Sequence, residues 1–190
     1  MIDKYEAVVF FDFDGVFTDN TVYVDENGKE SIRCSKSDRD GLDLLDDLHI
    51  NYMVLTRESN DSVKRRCEKL RIPMFIEKDK AQWIKKYLAD NEDMYLLEQD
   101  QASLDEGWGP IYSVYAGNSW EDMELVDEVD DFIMVTNEDT DPRLLDMCEK
   151  LDPYVWIPEH QGGRGVVSSI CRHVTKTVQG TSSTYNKRTD

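Results

Sequence analysis

The sequence has few cysteines, no long apolar run and a marked shortage of basic side chains. Its four cysteines form no C-x-x-C pair, so neither a zinc knuckle nor a dense disulfide framework is predicted. They are Cys34, Cys67, Cys148 and Cys171. No apolar stretch approaches the length of a membrane-spanning helix, and the acidic first residues lack the basic start of a signal peptide. We therefore expect a soluble cytoplasmic protein with reduced thiols.

Basic residues are outnumbered, because 22 Lys and Arg stand against 40 Asp and Glu among 190 residues, which gives a net charge of −18. Such a charge repels phosphate backbones and anionic lipids, so nucleic-acid and membrane partners are not expected. An anionic small-molecule substrate would need Lys and Arg side chains placed beside it. The length is that of one domain, expected over residues 1–180, and the polar tail 181–190 is expected to be disordered.

Apolar strand-like runs alternate with amphipathic helical segments along the chain. The strand-like runs cover residues 7–11, 51–56, 74–76, 111–116, 132–135 and 154–157. Helices are predicted around residues 42–48, 63–70, 80–88 and 123–126, after 142, and at 166–174. This alternation predicts an α/β fold, a doubly wound, Rossmann-like parallel sheet flanked by helices.

Two other segments interrupt the alternation. Asn27-Gly28 lies between the stretches 21–24 and 31–34 and predicts a projecting β-hairpin, because both loop residues tolerate positive φ. Residues 91–110 are polar and acidic, and only Leu96-Leu97 indicates a short element there.

The segment 8–19, VVFFDFDGVFTD, carries the strongest functional signal. An apolar strand ends in Asp12 and Asp14, whose side chains leave in a similar direction at the edge where open α/β sheets bind ligands. Two adjacent carboxylates raise each other's proton affinity unless a cation lies between them, which favours a Mg²⁺ site. Taken alone, the pair is equally well explained as an Asp-rich turn after a core strand.

Other polar groups are predicted at the same edge of the sheet. Thr56 ends a strand, Lys80 opens a helix, and the loop 117–122 follows another strand. The two carboxylates could supply a nucleophile and a proton carrier, the hydroxyl and the ammonium group could bind phosphate oxygens, and the polar loop could bind a metal. Phosphoryl transfer requires these groups. Each is an ordinary residue in isolation, and their joint occurrence in this order favours a shared site.

These motifs resemble those of the haloacid dehalogenase-like (HAD) phosphatases. More narrowly, the sequence is similar to a capless subfamily that contains 3-deoxy-manno-octulosonate 8-phosphate phosphatases, nonulosonate 9-phosphate phosphatases and the C-terminal domains of some CMP-sialic acid synthetases. The narrower resemblance covers residues 7–180. It rests on DFDGVFTD, the Asn-Gly hairpin, SDRDGLDLL, VLTRESNDSVKRRCEKL, the KDK at 78–80 and GGRGVVSSIC.

The resemblance implies a magnesium-dependent phosphomonoester hydrolase without a cap domain. Asp12 would be the nucleophile that forms an aspartyl-phosphate, and Asp14 would act as general acid and then general base. Thr56 and Lys80 would bind the phosphoryl group. The implied metal ligands are Asp12, Asp14 through its backbone carbonyl, Asn118 and Asp122. The resemblance also implies a homotetramer joined through the hairpins, in which a neighbouring subunit helps to cover the site.

Five residues are implied to bind the substrate: Arg57, Glu58, Arg66, Lys69 and Arg164. In the branch that acts on nine-carbon keto-sugar acid 9-phosphates, a Glu, an Arg and a Lys at the places of Glu58, Arg66 and Lys69 contact the sugar. The two basic side chains suit a carboxylate, and Glu58 suits hydroxyl groups. We therefore expect a nonulosonate 9-phosphate rather than an eight-carbon 8-phosphate. A solvated basic helix face beside an acidic loop would produce the same pattern.

The loop 117–122 departs from the phosphatase pattern. Asn118 and Ser119 stand where phosphatases usually carry Asp at the first, and often the second, position after the glycine. Because an Asn oxygen brings no formal charge, metal affinity should fall. Two hypotheses follow: a sugar-acid phosphatase, favoured by the retained Asp12, Asp14, Thr56 and Lys80, or a hydrolytically weak oligomerisation or sugar-binding module, favoured by Asn118 and Ser119.

Overall fold

The computed structural model describes residues 6–96, 111–151 and 155–180, and within them the chain forms eight strands and five α-helices. The strands are β1 (Glu6–Phe11), β2 (Tyr23–Val24), β3 (Glu30–Ser31), β4 (Asn51–Thr56), β5 (Met74–Ile76), β6 (Ile111–Gly117), β7 (Asp131–Met134) and β8 (Val155–Trp156). The helices are α1 (Asp38–Asp47), α2 (Asp61–Leu70), α3 (Lys80–Leu96), α4 (Pro142–Lys150) and α5 (Val166–Val178), with a 3₁₀ helix at Trp120–Leu125. Six strands form one parallel sheet in the order β5-β4-β1-β6-β7-β8, which confirms the predicted α/β architecture.

The sheet is covered on both faces by two apolar cores. Alternate residues of β1 point to opposite sides, so Val9 and Phe11 join one core while Val8 and Phe10 join the other. The first core packs against α1, α2 and α5, and the second against α3, α4 and the 3₁₀ helix. Burial on both faces explains why the central strand reads as a continuous apolar run.

Most predicted elements are confirmed, with small shifts at their ends. The strands over 51–56 and 74–76 have the predicted bounds, and β7 begins and ends one residue early. The helix predicted over 123–126 is a 3₁₀ helix that starts at Trp120. Helix α3 continues to Leu96, so the unassigned acidic segment begins as helix. The rest of that segment (97–110, with Leu97), Tyr154 and the tail 181–190 lie outside the described residues.

The hairpin formed by β2 and β3 is confirmed but is shorter than predicted. Its loop has positive φ at Gly28 (73°) and not at Asn27. The Asp25 carboxylate accepts hydrogen bonds from the backbone N–H groups of Asn27 (2.9 Å) and Lys29 (2.8 Å), and this shapes the turn. Between β1 and α1, a stretch that the structure describes in full, the regular structure is this hairpin.

The described helices include no membrane span, because none of them is long and apolar enough to cross a bilayer.

Candidate active site

Strand order brings the predicted site residues to one edge of the sheet. The ends of β4 and β6 flank the end of β1, and the Asp12 N–H donates to the carbonyl oxygen of Ala116 at 2.8 Å. Thr56, the last residue of β4, is 2% exposed, and its hydroxyl oxygen accepts a hydrogen bond from the Glu58 N–H at 3.2 Å. Glu58 therefore lies beside Thr56.

The turn that follows Asp12 is held in place by its own side chains. Gly15 has positive φ (75°), and its N–H donates to the Thr18 hydroxyl at 3.0 Å. Phe13 and Phe17 are fully buried, and their rings stack at a centroid distance of 5.3 Å. Anchored apolar side chains on either side of the turn leave Asp12 and Asp14 in a fixed backbone frame.

Lys80 is the buried cation of the site. Its ammonium group is 2.9 Å from an Asp12 oxygen, 3.0 Å from an Asp122 oxygen and 2.8 Å from the Tyr115 hydroxyl. The Lys80 side chain is 3% exposed, and Asp12 and Asp122 are 14% and 1% exposed. One positive charge is thus shared between two carboxylates in a water-poor environment, where charge interactions are strong.

Asp122 accepts hydrogen bonds at both of its carboxylate oxygens. One oxygen accepts from Lys80 and Tyr115, and the other from the backbone N–H groups of Asn118 (3.0 Å) and Ser119 (3.1 Å) and from the Ser119 hydroxyl (2.8 Å). Burial alone would raise the pKa of Asp122, but the charge of Lys80 and the hydrogen bonds outweigh it and hold the pKa below its usual value. Asp122 therefore keeps its negative charge.

Asp12 has much less compensation for its charge. Burial raises the pKa of Asp12 to about 7, with a further increase from the negative charge of Asp122, and Lys80 opposes the shift only in part. Burial and the charge of Glu58 also raise the pKa of Asp14. Asp12, Asp14 and Asp122 together face one ammonium group, so the site has a surplus of negative charge that a cation would neutralise.

The oxygen donors around this surplus charge fit a hard divalent cation such as Mg²⁺. The side chain of Asn118 lies against the turn, because a Cβ atom added to Gly15 would come within 1.9 Å of the Asn118 amide nitrogen. No group of three or more His, Cys, Asp and Glu side chains in the described ranges is arranged to hold a metal. Amide and backbone oxygens are available beside the carboxylates, because Asn118 lies against the turn that follows Asp12.

The glycine-rich segment before α5 packs against the turn that follows Asp12. Asn137 donates to the Gly15 carbonyl oxygen at 3.0 Å, and the Gly163 N–H donates to the Val16 carbonyl oxygen at 3.0 Å. A Cβ atom at Gly162 would lie 2.0 Å from the Gly15 carbonyl oxygen. Only a residue without a side chain fits at position 162.

The three arginines predicted to bind substrate are engaged with acidic side chains. Arg57 contacts Glu121 and Glu124, each at 2.6 Å. Arg66 donates to the Ser35 carbonyl oxygen and pairs with the buried Asp38 at 3.0 Å. Arg164 pairs with Glu138 at 3.4 Å and borders a cavity of about 250 Å³. Glu58 and Lys69 are exposed. Of the five, Glu58 is the one whose charge reaches Asp14.

Tyr115 is a site residue that the sequence reasoning missed, although it lies on the strand that leads into the 117–122 loop. Its position two residues before Gly117, on a strand that is buried throughout, was an available signal. The S-x-x-D spacing of Ser119 and Asp122 is typical of a capping box, which explains locally why these residues stand together.

No protein-family model matches the sequence. Solved structures do match, among them a protein described as a HAD family hydrolase from Streptomyces avermitilis, which is 21% identical with a TM-score of 0.68 and coverage of 94% of this chain and 90% of that one. The chain has the HAD fold. A 3-deoxy-D-manno-octulosonate 8-phosphate (KDO 8-phosphate) phosphatase from Moraxella catarrhalis, solved with magnesium, phosphate and KDO, is 21% identical with a TM-score of 0.67, over 93% of this chain and 89% of that one.

A second phosphatase with the HAD fold extends this likeness to nearly the full length of both chains. The cobalt-bound KDO 8-phosphate phosphatase from Haemophilus influenzae is 20% identical with a TM-score of 0.65, and the match covers 98% of this chain and 95% of that one. Both phosphatase structures contain divalent metal ions. At this identity the likeness establishes a shared HAD fold.

Proposed function

We propose that this chain is a magnesium-dependent phosphomonoester hydrolase that acts on a phosphorylated keto-sugar acid. The observation that carries the proposal is the buried Lys80 ammonium group, held between Asp12 and Asp122 while the charge of Asp12 remains undercompensated. A carboxylate with surplus charge at the carboxyl edge of a parallel sheet is suited to attack a metal-bound phosphate ester. The similar structures from Moraxella and Haemophilus are sugar-phosphate phosphatases with bound divalent metals, which supports the same reaction class.

In this proposal the side chains divide the reaction between them. An Asp12 oxygen attacks phosphorus, the ester P–O bond breaks, and Asp14 gives its proton to the departing alkoxide oxygen. Water deprotonated by Asp14 then attacks the aspartyl-phosphate and releases inorganic phosphate. The Thr56 hydroxyl and the Lys80 N–H that is directed to Asp12 in the free site bind phosphoryl oxygens. Burial and the charge of Glu58 raise the pKa of Asp14, which is the direction that a proton-donating group requires.

The residues proposed to hold Mg²⁺ are Asp12, the Asp14 backbone carbonyl and Asn118. When bound, the ion would neutralise the phosphoryl oxygens and the surplus carboxylate charge. Asp122 was also expected as a ligand from the sequence. Because both of its oxygens already accept hydrogen bonds, we propose that Asp122 acts by holding Lys80 and the backbone of Asn118 in place.

We propose a nonulosonate 9-phosphate as the substrate, with Glu58 and Lys69 as the exposed groups available to the sugar. Arg66 is tied to Asp38 on α1, and Arg57 to the 3₁₀ helix, so their contribution would require an exchange of ion-pair partners. The exposed hairpin would join four copies and bring residues of a neighbouring subunit, with Arg164 in its glycine-rich segment, over the open site.

Hydrolysis assays with two keto-sugar acid phosphates test both parts of the proposal. The wild-type protein is given a nonulosonate 9-phosphate and an octulosonate 8-phosphate, each with Mg²⁺ and with a chelator. We expect phosphate release only with Mg²⁺ and a higher kcat/KM for the nine-carbon substrate. Faster turnover of the eight-carbon substrate would overturn the substrate assignment. If the protein hydrolyses neither compound and none of a broad panel of phosphate esters, the proposal that it is a phosphatase would be overturned.

A second candidate function is a hydrolytically weak module for oligomerisation or sugar binding, related to the synthetase-fused domains. The specific observation in its favour is that Ser119 donates to Asp122 and Asn118 supplies an uncharged amide, so the loop 117–122 brings one carboxylate fewer toward the metal. Retention of the buried Lys80 network favours the enzyme, because a buried charge cluster is costly for a scaffold that does not use it.

A further inference from the structure

We propose that Tyr115 is a positioning residue that directs the Lys80 ammonium group toward Asp12. Its hydroxyl is the third acceptor of the ammonium group, at 2.8 Å, and donates to Asp122 at 2.7 Å. The effect on catalysis rests on the proposed phosphatase function. The position of the ammonium group depends only on contacts among the buried side chains of Tyr115, Lys80 and Asp122. Tyr115 is fully buried, so its hydroxyl is shielded from bulk solvent.

The hydrogen-bond count around Lys80 explains how the hydroxyl acts. An ammonium group has three N–H donors, and here they reach one oxygen each of Asp12, Asp122 and Tyr115. The Tyr115 hydroxyl also reaches the Asp122 oxygen that accepts from Lys80. Tyr115 thereby takes part of the hydrogen-bonding capacity of Asp122, so the ammonium group remains shared with Asp12 rather than drawn fully to Asp122.

Removal of the Tyr115 hydroxyl should shift the Lys80 ammonium group from Asp12 toward Asp122. In Tyr115→Phe, one buried N–H of Lys80 loses its acceptor while one Asp122 oxygen loses a donor. Both losses are relieved if the ammonium group shifts toward Asp122, away from Asp12 and the phosphoryl site. The ring packing survives the substitution, because Tyr115 stacks on Phe132 at a centroid distance of 5.8 Å through its ring alone.

Tyr112 provides a matched control on the same strand. It is 3% exposed, lies at the end of β6 opposite the 117–122 loop, and its hydroxyl donates to Asp131, the first residue of β7. Tyr112→Phe therefore removes a buried tyrosine hydroxyl bonded to an aspartate without touching the site. A general cost of losing such a hydroxyl would appear in both variants.

The test measures hydrolysis of the phosphorylated keto-sugar acid, with inorganic phosphate as inhibitor, for wild type, Tyr115→Phe and Tyr112→Phe. We expect the KM and the phosphate inhibition constant of Tyr115→Phe to rise together by about tenfold, the scale of one charge-assisted hydrogen bond, and those of Tyr112→Phe to be unchanged. A loss of kcat alone, with both constants unchanged, would indicate a merely structural role and overturn the proposal. So would an equal rise in both variants.

Crystal structures of the two variants provide a readout that does not depend on activity. The proposal predicts that the Lys80 ammonium group moves beyond hydrogen-bond distance of Asp12 in Tyr115→Phe and keeps its contact in Tyr112→Phe. An unmoved ammonium group in Tyr115→Phe would overturn it. If the wild type hydrolyses no phosphate ester, the proposed function fails, and these structures still decide whether Tyr115 positions Lys80.

Discussion

Asp12 and Asp122 both contact Lys80, yet their environments shift their pKa values in opposite directions. Asp122 has hydrogen-bond donors on both oxygens and keeps its charge, whereas burial and the charge of Asp122 raise the pKa of Asp12 to about 7. Environments that separate the proton affinities of neighbouring acids are typical of sites that assign them different tasks. These environments support the proposal that Asp122 holds Lys80 in place while Asp12 remains available to react.

The raised pKa of Asp12 predicts a pH-dependent cost in stability for the metal-free protein. Burial raises the pKa of Asp12 from 3.8 in the unfolded chain to about 7 in the fold. The protonated side chain therefore stabilises the fold relative to the ionised one, and this stabilisation is fully present below pH 3.8 and is lost as the pH rises through 7. In chelator, Asp12→Asn should increase the free energy of unfolding by roughly 2 kcal/mol at alkaline pH and by little near pH 4. Denaturant unfolding at both pH values measures this. An equal gain from Asp127→Asn, at an exposed position, would contradict it.

Asn118 predicts a gain of metal affinity when a carboxylate is introduced. Its amide lies against Gly15, beside the predicted Mg²⁺ ligands. Because Mg²⁺ prefers charged oxygen ligands, Asn118→Asp should lower the magnesium concentration for half-maximal activation by about tenfold. Calorimetric Mg²⁺ titration checks the affinity separately from turnover. Asn27→Asp, in the exposed hairpin loop, adds the same charge and should change neither value; an unchanged Asn118→Asp variant would remove Asn118 from the metal site.

At the scale of elements, the sequence predicts the sheet well because its strands are continuous apolar runs. The edge that joins Asp12, Thr56 and Lys80 follows from parallel strands alone. The partners of Arg57 and Arg66 could not be predicted, because Glu121, Glu124 and Asp38 meet them only through tertiary packing. The position of Tyr115 on the strand that leads into the 117–122 loop was an available signal, but its contact with Lys80 could not be predicted, because Lys80 lies 35 residues away in sequence.

Because Gly162 packs against the turn that follows Asp12, a single methyl group at position 162 should disturb that turn. In Gly162→Ala the added Cβ would meet the Gly15 carbonyl oxygen at 2.0 Å, so one of the two segments must move. We expect kcat/KM to fall at least about tenfold and the melting temperature to fall by several degrees, the scale of an overpacked site. Steady-state kinetics and thermal unfolding measure both. Gly28→Ala is the control, because a Cβ added in the hairpin loop meets nothing within 4 Å. This variant can lose stability through its positive φ, but its kcat/KM should equal that of the wild type.

At the scale of the whole molecule, the hairpin region carries three consecutive exposed apolar side chains among the described residues. Val22, Tyr23 and Val24 are 51%, 57% and 61% exposed, although the net charge of the chain is −18. Consecutive exposed apolar residues on a projecting element favour a protein interface. The hairpin could be predicted from the sequence, whereas the proposed tetramer comes from the family resemblance alone.

Charged substitutions on the hairpin therefore test the proposed tetramer. The double variant Tyr23→Asp and Val24→Asp should sediment as a monomer at concentrations where the wild type is a tetramer, because four acidic hairpins would repel. Its α-helical circular dichroism should be unchanged, since both residues are exposed. Asn27→Asp should keep the wild-type mass. A wild type that sediments as a monomer would contradict the proposed assembly.

The central claim is that Asp12 attacks the phosphorus of a metal-bound ester. The most direct measurement compares phosphate release by wild type, Asp12→Asn and Asp127→Asn from a nonulosonate 9-phosphate in saturating Mg²⁺. The account predicts that Asp12→Asn loses at least about 10³-fold in kcat, because the nucleophile is removed, while Asp127→Asn retains wild-type turnover. Turnover by Asp12→Asn near the wild-type rate would contradict it.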